Sequence, residues 1–344
     1  MQTLRLFAKD NGSFQRAARI IRAGGLVAFP TETVYGLGAN ALDSAAVNKI
    51  FIAKERPAWD PLIVHVTSRQ MLETVIAKPP AQFEDLFAAF MPGPLTLVLT
   101  KKASIPDIVT AGRQTVAVRL PAHPAAQQLI TASGLPIAAP SANRFQHVSS
   151  TTAEHVLADL DGRIDAILDD GPCRIGVEST VLDLTGEVPV ILRSGAVTRE
   201  QLRRMLGHVV IADPNAVWRQ QEGLPSPGMM SRHYSPHTKL VLTEGSEIAL
   251  AEAVQKLCKR RLGALLPTEW KISAAEAFDW GQWEEWSTLA SRLYAGLRWL
   301  DRQKLEIIIA PLPPEQALGG AIRERLLKAS GGAMLAGKIM VPGS

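Results

Sequence analysis

The sequence predicts an α/β protein of two domains. A large, twisted, mixed sheet with flanking helices comes first, and a smaller parallel α/β domain follows across a long linker. Three observations carry that expectation. The chain has 344 residues, enough for two domains at roughly 150 residues each. Apolar runs of strand length crowd residues 1–206 with few helical patterns between them, whereas residues 239–344 alternate strand and helix. Between the two lies a stretch, residues 207–238, whose proline and glycine content suits neither element.

The elements follow in order. Ser13 to Ala23 has helical spacing, with Phe14, Ala17, Ile20 and Ile21 on one face, and Gly24-Gly25 ends it. Leu26 to Phe29 is a short strand stopped by Pro30. Ser44 to Lys54 is a second amphipathic helix, and Leu62 to Val66 is a buried strand. Leu95–Leu99, Thr115–Leu120, Pro136–Ala139, Ala166–Leu168, Ser179–Leu184 and Val188–Leu192 read as further strands, with a helix over Pro124–Ala132. In the tail, Lys239–Thr243, Leu262–Leu266 and Ile307–Ala310 are strands. Glu247–Arg261, Ser287–Arg302 and Glu315–Ser330 are helices, which gives the βαβ pattern of a parallel sheet. Trp283 and Trp286 are spaced to share a helix face, and the tail's tryptophans read as core or interface aromatics.

An apolar fraction of 47% with 20% charged residues excludes wholesale disorder. The net charge of +4 permits an anionic partner without demanding one. Cys173 and Cys258 offer neither a disulfide framework nor a CxxC metal pair, which fits a reducing compartment. No apolar run approaches the ~18 residues of a membrane span, and the start carries no cleavage-like signal. A cytoplasmic protein without membrane contact is expected.

Four clusters place polar groups at strand ends and turns. In Phe29–Gly38 (FPTETVYGLG), Thr31, Glu32 and Thr33 follow a strand; they either line a pocket or cap a turn. In Lys54-Glu-Arg-Pro, two cations converge on a polyphosphate or stabilise a helix end. Arg119 ends a strand pattern, where a buried guanidinium needs an anionic partner. Ser141 and Asn143 follow an apolar run and suit phosphate oxygens or a base edge, with Ser149 and Ser150 close behind. Ser179 and Thr180 start a strand in GVESTV, and Arg193 ends another in LRSG. There is no GxxxxGK[ST], GxGxxG, HExxH or GxSxG, and the histidines have no metal-ligand spacing beyond the loose His233/His237 pair. Composition and spacing thus reach an anion-binding α/β enzyme.

The series FPTETVYGLGANA, KERP, PLIVHV, PGPLTLVL, TVAVRLPAHP, IAAPSAN, GVEST and ILRSG, in this order, resembles the threonylcarbamoyl-AMP synthases. SPGMMSRHYSPHTK with an α/β tail is similar to the linker and C-terminal domain of the long Sua5 type rather than the short YrdC type. The resemblance implies a YrdC-like catalytic domain over 1–206, an extended linker or lid over 207–238 and a Rossmann-like Sua5-type domain over 239–344. It implies a nucleotidyltransferase making threonylcarbamoyl-AMP and pyrophosphate from L-threonine, bicarbonate and ATP, on the way to threonylcarbamoyl-adenosine at position 37 of tRNA. Thr31, His65, Arg119 and Ser179 would surround threonine. Lys54, Arg56, Thr115, Ser141, Asn143, Ser149 and Arg193 would hold ATP, with Lys54 and Arg56 neutralising charge in the reaction. Tyr234 would close over the nucleotide, and Mg²⁺ would be held mainly by the phosphates. tRNA or the downstream threonylcarbamoyl transferase complex would be the further partner.

Three departures from the family pattern stand out. Met230 and Ser231 stand where a lysine or other polar residue and an aromatic are common. Ser194 replaces the proline of an ILRPG turn, and Asp60 stands where asparagine is common, adding a negative charge near a phosphate site. Two other readings compete. One is a double-stranded RNA or tRNA-binding module without catalysis, against which residues 1–206 lack arginine-rich or aromatic-interleaved stretches. The other is carbamoyl transfer from carbamoyl phosphate, as in hydrogenase maturation proteins, which carry zinc-finger segments that two cysteines cannot supply.

Overall fold

A computed structural model describes residues 2–213 and 223–335. Two compact units are present. The first takes in Met1–Phe145, Ser149–Arg174 and Glu178–Met229; the second takes in Gln146–Val148, Ile175–Val177 and Met230–Ser344. The expected linker over 207–238 includes residues 214–222, and the expected C-terminal domain includes 336–344; both stretches lie outside the described residues.

The strands of the first unit are β1 (Leu4–Phe7), β2 (Val27–Pro30), β3 (Tyr35–Asn40), β4 (Ile63–His65), β5 (Leu95–Thr100), β6 (Thr115–Arg119), β7 (Ile137–Ala138), β8 (Ala166–Asp169), β9 (Thr180–Asp183), β10 (Val190–Arg193) and β11 (Val210–Ile211). They form one 11-stranded sheet in the order β1-β8-β2-β3-β7-β4-β6-β5-β9-β10-β11. The sheet is mixed: β4 runs parallel to β6 and β5 to β9, while β5 and β6 are antiparallel. The helices are α1 (Ser13–Arg22), α2 (Ser44–Lys54), α3 (Arg69–Val75), α4 (Phe83–Phe90), α5 (Asp107–Thr110), α6 (Pro124–Ser133), α7 (Ala153–Leu160) and α8 (Arg199–Leu206).

Two corrections to the sequence reading concern this unit. Helices are not few. The missed ones are short, and three of them, α3, α7 and α8, announce themselves by caps rather than by periodicity. Ser68, Thr152 and Thr198 each accept a hydrogen bond from the amide three residues on, and Thr198 with Gln201 completes a capping box. The second correction is β3, which pairs with β2 as a hairpin, Phe29 opposite Gly36. Gly36 and Gly38 therefore lie inside a strand, not in a loop. They are there because large side chains of the two flanking strands, β2 and β7, lean over this stretch. A Cβ on Gly38 would stand 2.8 Å from the Ile137 side chain and from the Phe29 ring.

The second unit contains β12 (Lys239–Glu244), α9 (Glu247–Lys256), β13 (Leu262–Pro267), β14 (Glu276–Gly281), α10 (Trp286–Asp301), β15 (Ile307–Leu312) and α11 (Ala317–Ser330). Its sheet is parallel, in the order β12-β15-β13-β14. The strand β14 was not legible. It is an edge strand whose first four residues alternate between exposed and half-buried, so Glu276 and Asp279 hide its pattern. Trp283 and Trp286 do not share a helix, because α10 begins at Trp286; their rings meet edge to face at 5.6 Å.

Ile137 and Phe29 are fully buried, so neither can withdraw without repacking. Gly38→Ala is therefore expected to cost about 1–3 kcal/mol by overpacking, read as a lowered Tm. An unchanged Tm would show that the hairpin is not held by this contact.

Candidate active site

The central strands of the first unit have two unlike faces, because side chains alternate along a strand. One face carries Val64, Leu95, Leu97, Leu99, Val116, Val118 and Leu182 into the main core. The other carries Ile63, Val98, Ala117, Val181 and Leu192, a small apolar patch against which Ala212 and Met229 pack. On that second face, polar residues take the places in line with the patch. His65 lies beside Arg119, and the β5–β6 register sets Thr96 opposite Arg119. Thr96 Oγ1 and Ser179 Oγ lie 2.8 Å apart.

Arg119 is held from three directions. Its Nε donates to the Gly93 carbonyl at 3.2 Å, its Nη1 to Thr33 Oγ1 at 2.9 Å, and its Nη2 pairs with Glu32 Oε1 at 2.7 Å. Both members of the ion pair are buried. Burial pushes the Glu32 carboxyl up, but the Arg119 guanidinium more than offsets this and holds it below its ordinary range. The Glu32 and Ala122 amides lower it further, without meeting hydrogen-bond geometry. Thr31 does cap the turn: its hydroxyl donates to the Val34 carbonyl at 2.7 Å and meets the Thr33 hydroxyl at 2.8 Å. His65 is buried edge to face against Phe29 at 6.1 Å. Desolvation, with Arg119 beside it, pushes His65 from 6.5 down to about 3, so the ring is neutral at physiological pH.

A second group gathers around a carboxylate. Arg56 Nη2 pairs with Asp60 Oδ1 at 2.9 Å and donates to the Pro61 carbonyl at 2.7 Å, while Nε donates to the Asp60 carbonyl at 3.1 Å. Burial raises the Asp60 pKa against the opposing pull of Arg56, Lys54 and Arg193, so three cations surround this one acid. Lys54 ends α2 because Glu55 turns left-handed at φ 56°. Its Nζ donates to the Ser141 carbonyl at 2.6 Å and to the Asn143 carbonyl. The Asn143 amide donates to the Arg144 carbonyl at 2.8 Å, and Ser149 Oγ donates to Glu178 Oε1 at 2.5 Å. Arg193 joins the two groups. Its Nε and Nη2 donate to the Ser179 carbonyl and hydroxyl, each at 3.1 Å, and its Nη1 to the Pro227 carbonyl at 3.4 Å.

Not every candidate falls in this series. Thr115 begins β6, four residues before Arg119 on the same face, hence roughly 13 Å from it along the strand. Tyr234 belongs to the second unit, where its ring stacks on Tyr294 at 5.9 Å and lies 5.2 Å from the Arg325 guanidinium. The sequence reading missed Thr96, Glu178 and the pairing role of Glu32. The strand alternation that points Arg119 inward also demands its counterion, and Glu32 is the acid in the nearest turn. Among the described residues, no three His, Cys, Asp or Glu side chains cluster as metal ligands, and no helix is long and apolar enough to cross a membrane.

Residues 19–195 match the Sua5–YciO–YrdC family, described as "Telomere recombination". Residues 197–331 match the family described as "Threonylcarbamoyl-AMP synthase, C-terminal domain". The chain is 45% identical over 326 residues to a Bacillus subtilis (strain 168) protein named threonylcarbamoyl-AMP synthase, covering 93% of each. It is 44% identical over 321 residues to a Pyrococcus abyssi protein of the same name, covering 92% of this chain and 93% of that one. The crystal structure of P. abyssi Sua5 complexed with L-threonine superposes with a TM-score of 0.91 at 40% identity, over 97% of this chain and 99% of that one.

The His65 pKa sets a pH dependence. Its folded value lies below its ordinary 6.5, so between about pH 6.5 and 3 the unfolded chain binds a proton that the folded chain does not. Stability therefore falls as pH falls through that window. Urea midpoints of the wild type should drop more steeply below pH 6.5 than those of His65→Asn; parallel curves would mean that the ring is not held neutral.

Proposed function

The chain belongs to the Sua5–YciO–YrdC family, and from that premise we propose that it is a threonylcarbamoyl-AMP synthase. In this reading it joins L-threonine, bicarbonate and ATP into threonylcarbamoyl-AMP and pyrophosphate by nucleotidyl transfer, supplying tRNA modification. The observation that carries it is Arg193. It holds Ser179 beside Thr96 and Arg119 on one side and bears on Asp60 with Lys54 and Arg56 on the other. Arg193 thereby links the end read as carboxylate-binding to the end read as polyphosphate-binding.

The chemistry suits these groups. Arg119 receives the threonine carboxylate; Thr31 lines its pocket, and neutral His65 and Ser179 offer hydrogen bonds to its hydroxyl. The amine, once its ammonium proton has passed to water, attacks the carbon of carbon dioxide and gives a carbamate with release of a second proton; starting from bicarbonate, a water molecule leaves instead. A carbamate oxygen then attacks the α-phosphorus, and the bond to the β-phosphate oxygen breaks as pyrophosphate leaves. Lys54, Arg56 and Arg193 neutralise charge that builds on the phosphates, and Thr115, Ser141, Asn143 and Ser149 position the nucleotide. Mg²⁺ would be held mainly by the phosphates of ATP and would supply further charge neutralisation there.

Pyrophosphate release measured with threonine and bicarbonate omitted in turn is expected to fall to background in each omission. Lys54→Ala and Arg56→Ala are each expected to lower turnover by about 10²-fold or more through lost charge stabilisation. Release that persists without threonine would sink the assignment.

A further inference from the structure

The guanidinium of the amino acid end is electrically balanced before any substrate arrives. Arg119 carries one positive charge and Glu32, 2.7 Å away, one negative. The titratable groups that face the pair are neutral at physiological pH. Burial and Arg119 push His65 down to about 3, burial pushes the Cys173 thiol up, and burial pushes His123 down. The remaining neighbours are the hydroxyls of Thr31, Thr33, Thr96 and Ser179, and the next cation, Arg193, donates to Ser179 Oγ at 3.1 Å. The Arg119–Glu32 pair itself thus has no net charge to offer a simple carboxylate. A monoanion bound on Arg119 would sit beside the Glu32 carboxylate and bring no positive charge to offset it, which is costly.

A zwitterion avoids that cost. Three of the Arg119 nitrogens have protein partners, yet a guanidinium has five N–H donors, so two remain for a carboxylate. The ammonium group of the same α-amino acid then has one full negative charge within reach, that of Glu32. We propose that Glu32 is a specificity-determining residue: it receives the α-ammonium group of the amino acid whose carboxylate Arg119 binds, and so makes the site select a zwitterion over a plain carboxylic acid. This rests on the reading of this end as the threonine subsite. Glu32 acts here in recognition and not as the base, because the Arg119 pair keeps its carboxylate a weak proton acceptor.

The full chain can be titrated calorimetrically with three probes: L-threonine, 3-hydroxybutanoate, which lacks the amine, and threoninol, which lacks the carboxylate. Wild-type protein is expected to bind threonine at least about tenfold more tightly than either, the scale of one buried charge partner. In Glu32→Gln, which keeps the shape and removes the charge, threonine should weaken by about tenfold or more while 3-hydroxybutanoate binds as well as before or better. A purely structural role would weaken both probes together. An unchanged threonine to 3-hydroxybutanoate ratio in Glu32→Gln, or equal binding of the two by wild type, overturns the proposal. If Glu32→Gln fails to fold, the wild-type probe series decides alone. Failure of wild type to bind threonine at all would instead overturn the reading of the subsite.

Discussion

Charge taken out of water must be balanced inside the protein, and one face of the first unit is organised by that constraint. Arg119, Lys54, Arg56 and Arg193 are all buried. None is left to solvent for compensation, so the fold supplies Glu32, Asp60 and a set of backbone carbonyls. The consequence is rigidity. A guanidinium fixed by a carbonyl, a hydroxyl and a carboxylate keeps its remaining donors aimed in one direction, and electrostatic catalysis needs groups that do not reorganise during reaction. Asp60 shows the local version. Its carboxylate is met directly by Arg56, four residues earlier, at 2.9 Å.

The backbone makes this arrangement cheap to hold. Three or four residues of each central strand are enough to set one side chain toward the core and the next toward the site. The β4–β6 and β5–β6 registers fix His65, Arg119 and Thr96 as neighbours without contacts of their own. Close approach does the rest. Gly38 leaves room for the Phe29 and Ile137 side chains of the strands on either side, and a Cβ on Gly195 would stand 2.3 Å from the Thr180 amide. The segment after Arg193 and the one before Thr180 can approach only because that position carries no side chain.

Much of this was legible in the sequence, and the misses have physical causes. Strands read well where both faces are buried, as in Leu95–Leu99, because apolar runs then have no competing explanation. The edge strand β14 was lost since its charges are tolerated only at an edge. The hairpin strand β3 was lost because glycine, the residue that packing requires there, is also the residue that signals a loop. Helices α3, α7 and α8 were lost to a search for periodicity when their signal was the cap. Polar positions of the site stood out in the sequence, while their pairings did not. Arg119 needed an anion, yet nothing in the linear order says that it is Glu32, 87 positions away by number alone. Register and turn geometry decide that, and they belong to the folded state.

The floor between the two polar ends limits what chemistry the protein can perform directly. Ile63, Ala117 and Val98 lie in line across β4, β6 and β5, and Thr115 stands beyond Ala117 from Arg119. These side chains offer no nucleophile and no proton acceptor. His65, the one histidine beside the guanidinium, is held neutral by burial, so it can share a hydrogen bond without carrying away charge. In the proposed reaction the reacting groups would come from the substrates, and the protein's part would be to hold them over this apolar surface. That division of labour would account for a site rich in cations and hydroxyls, in which each cation is already tied to the fold.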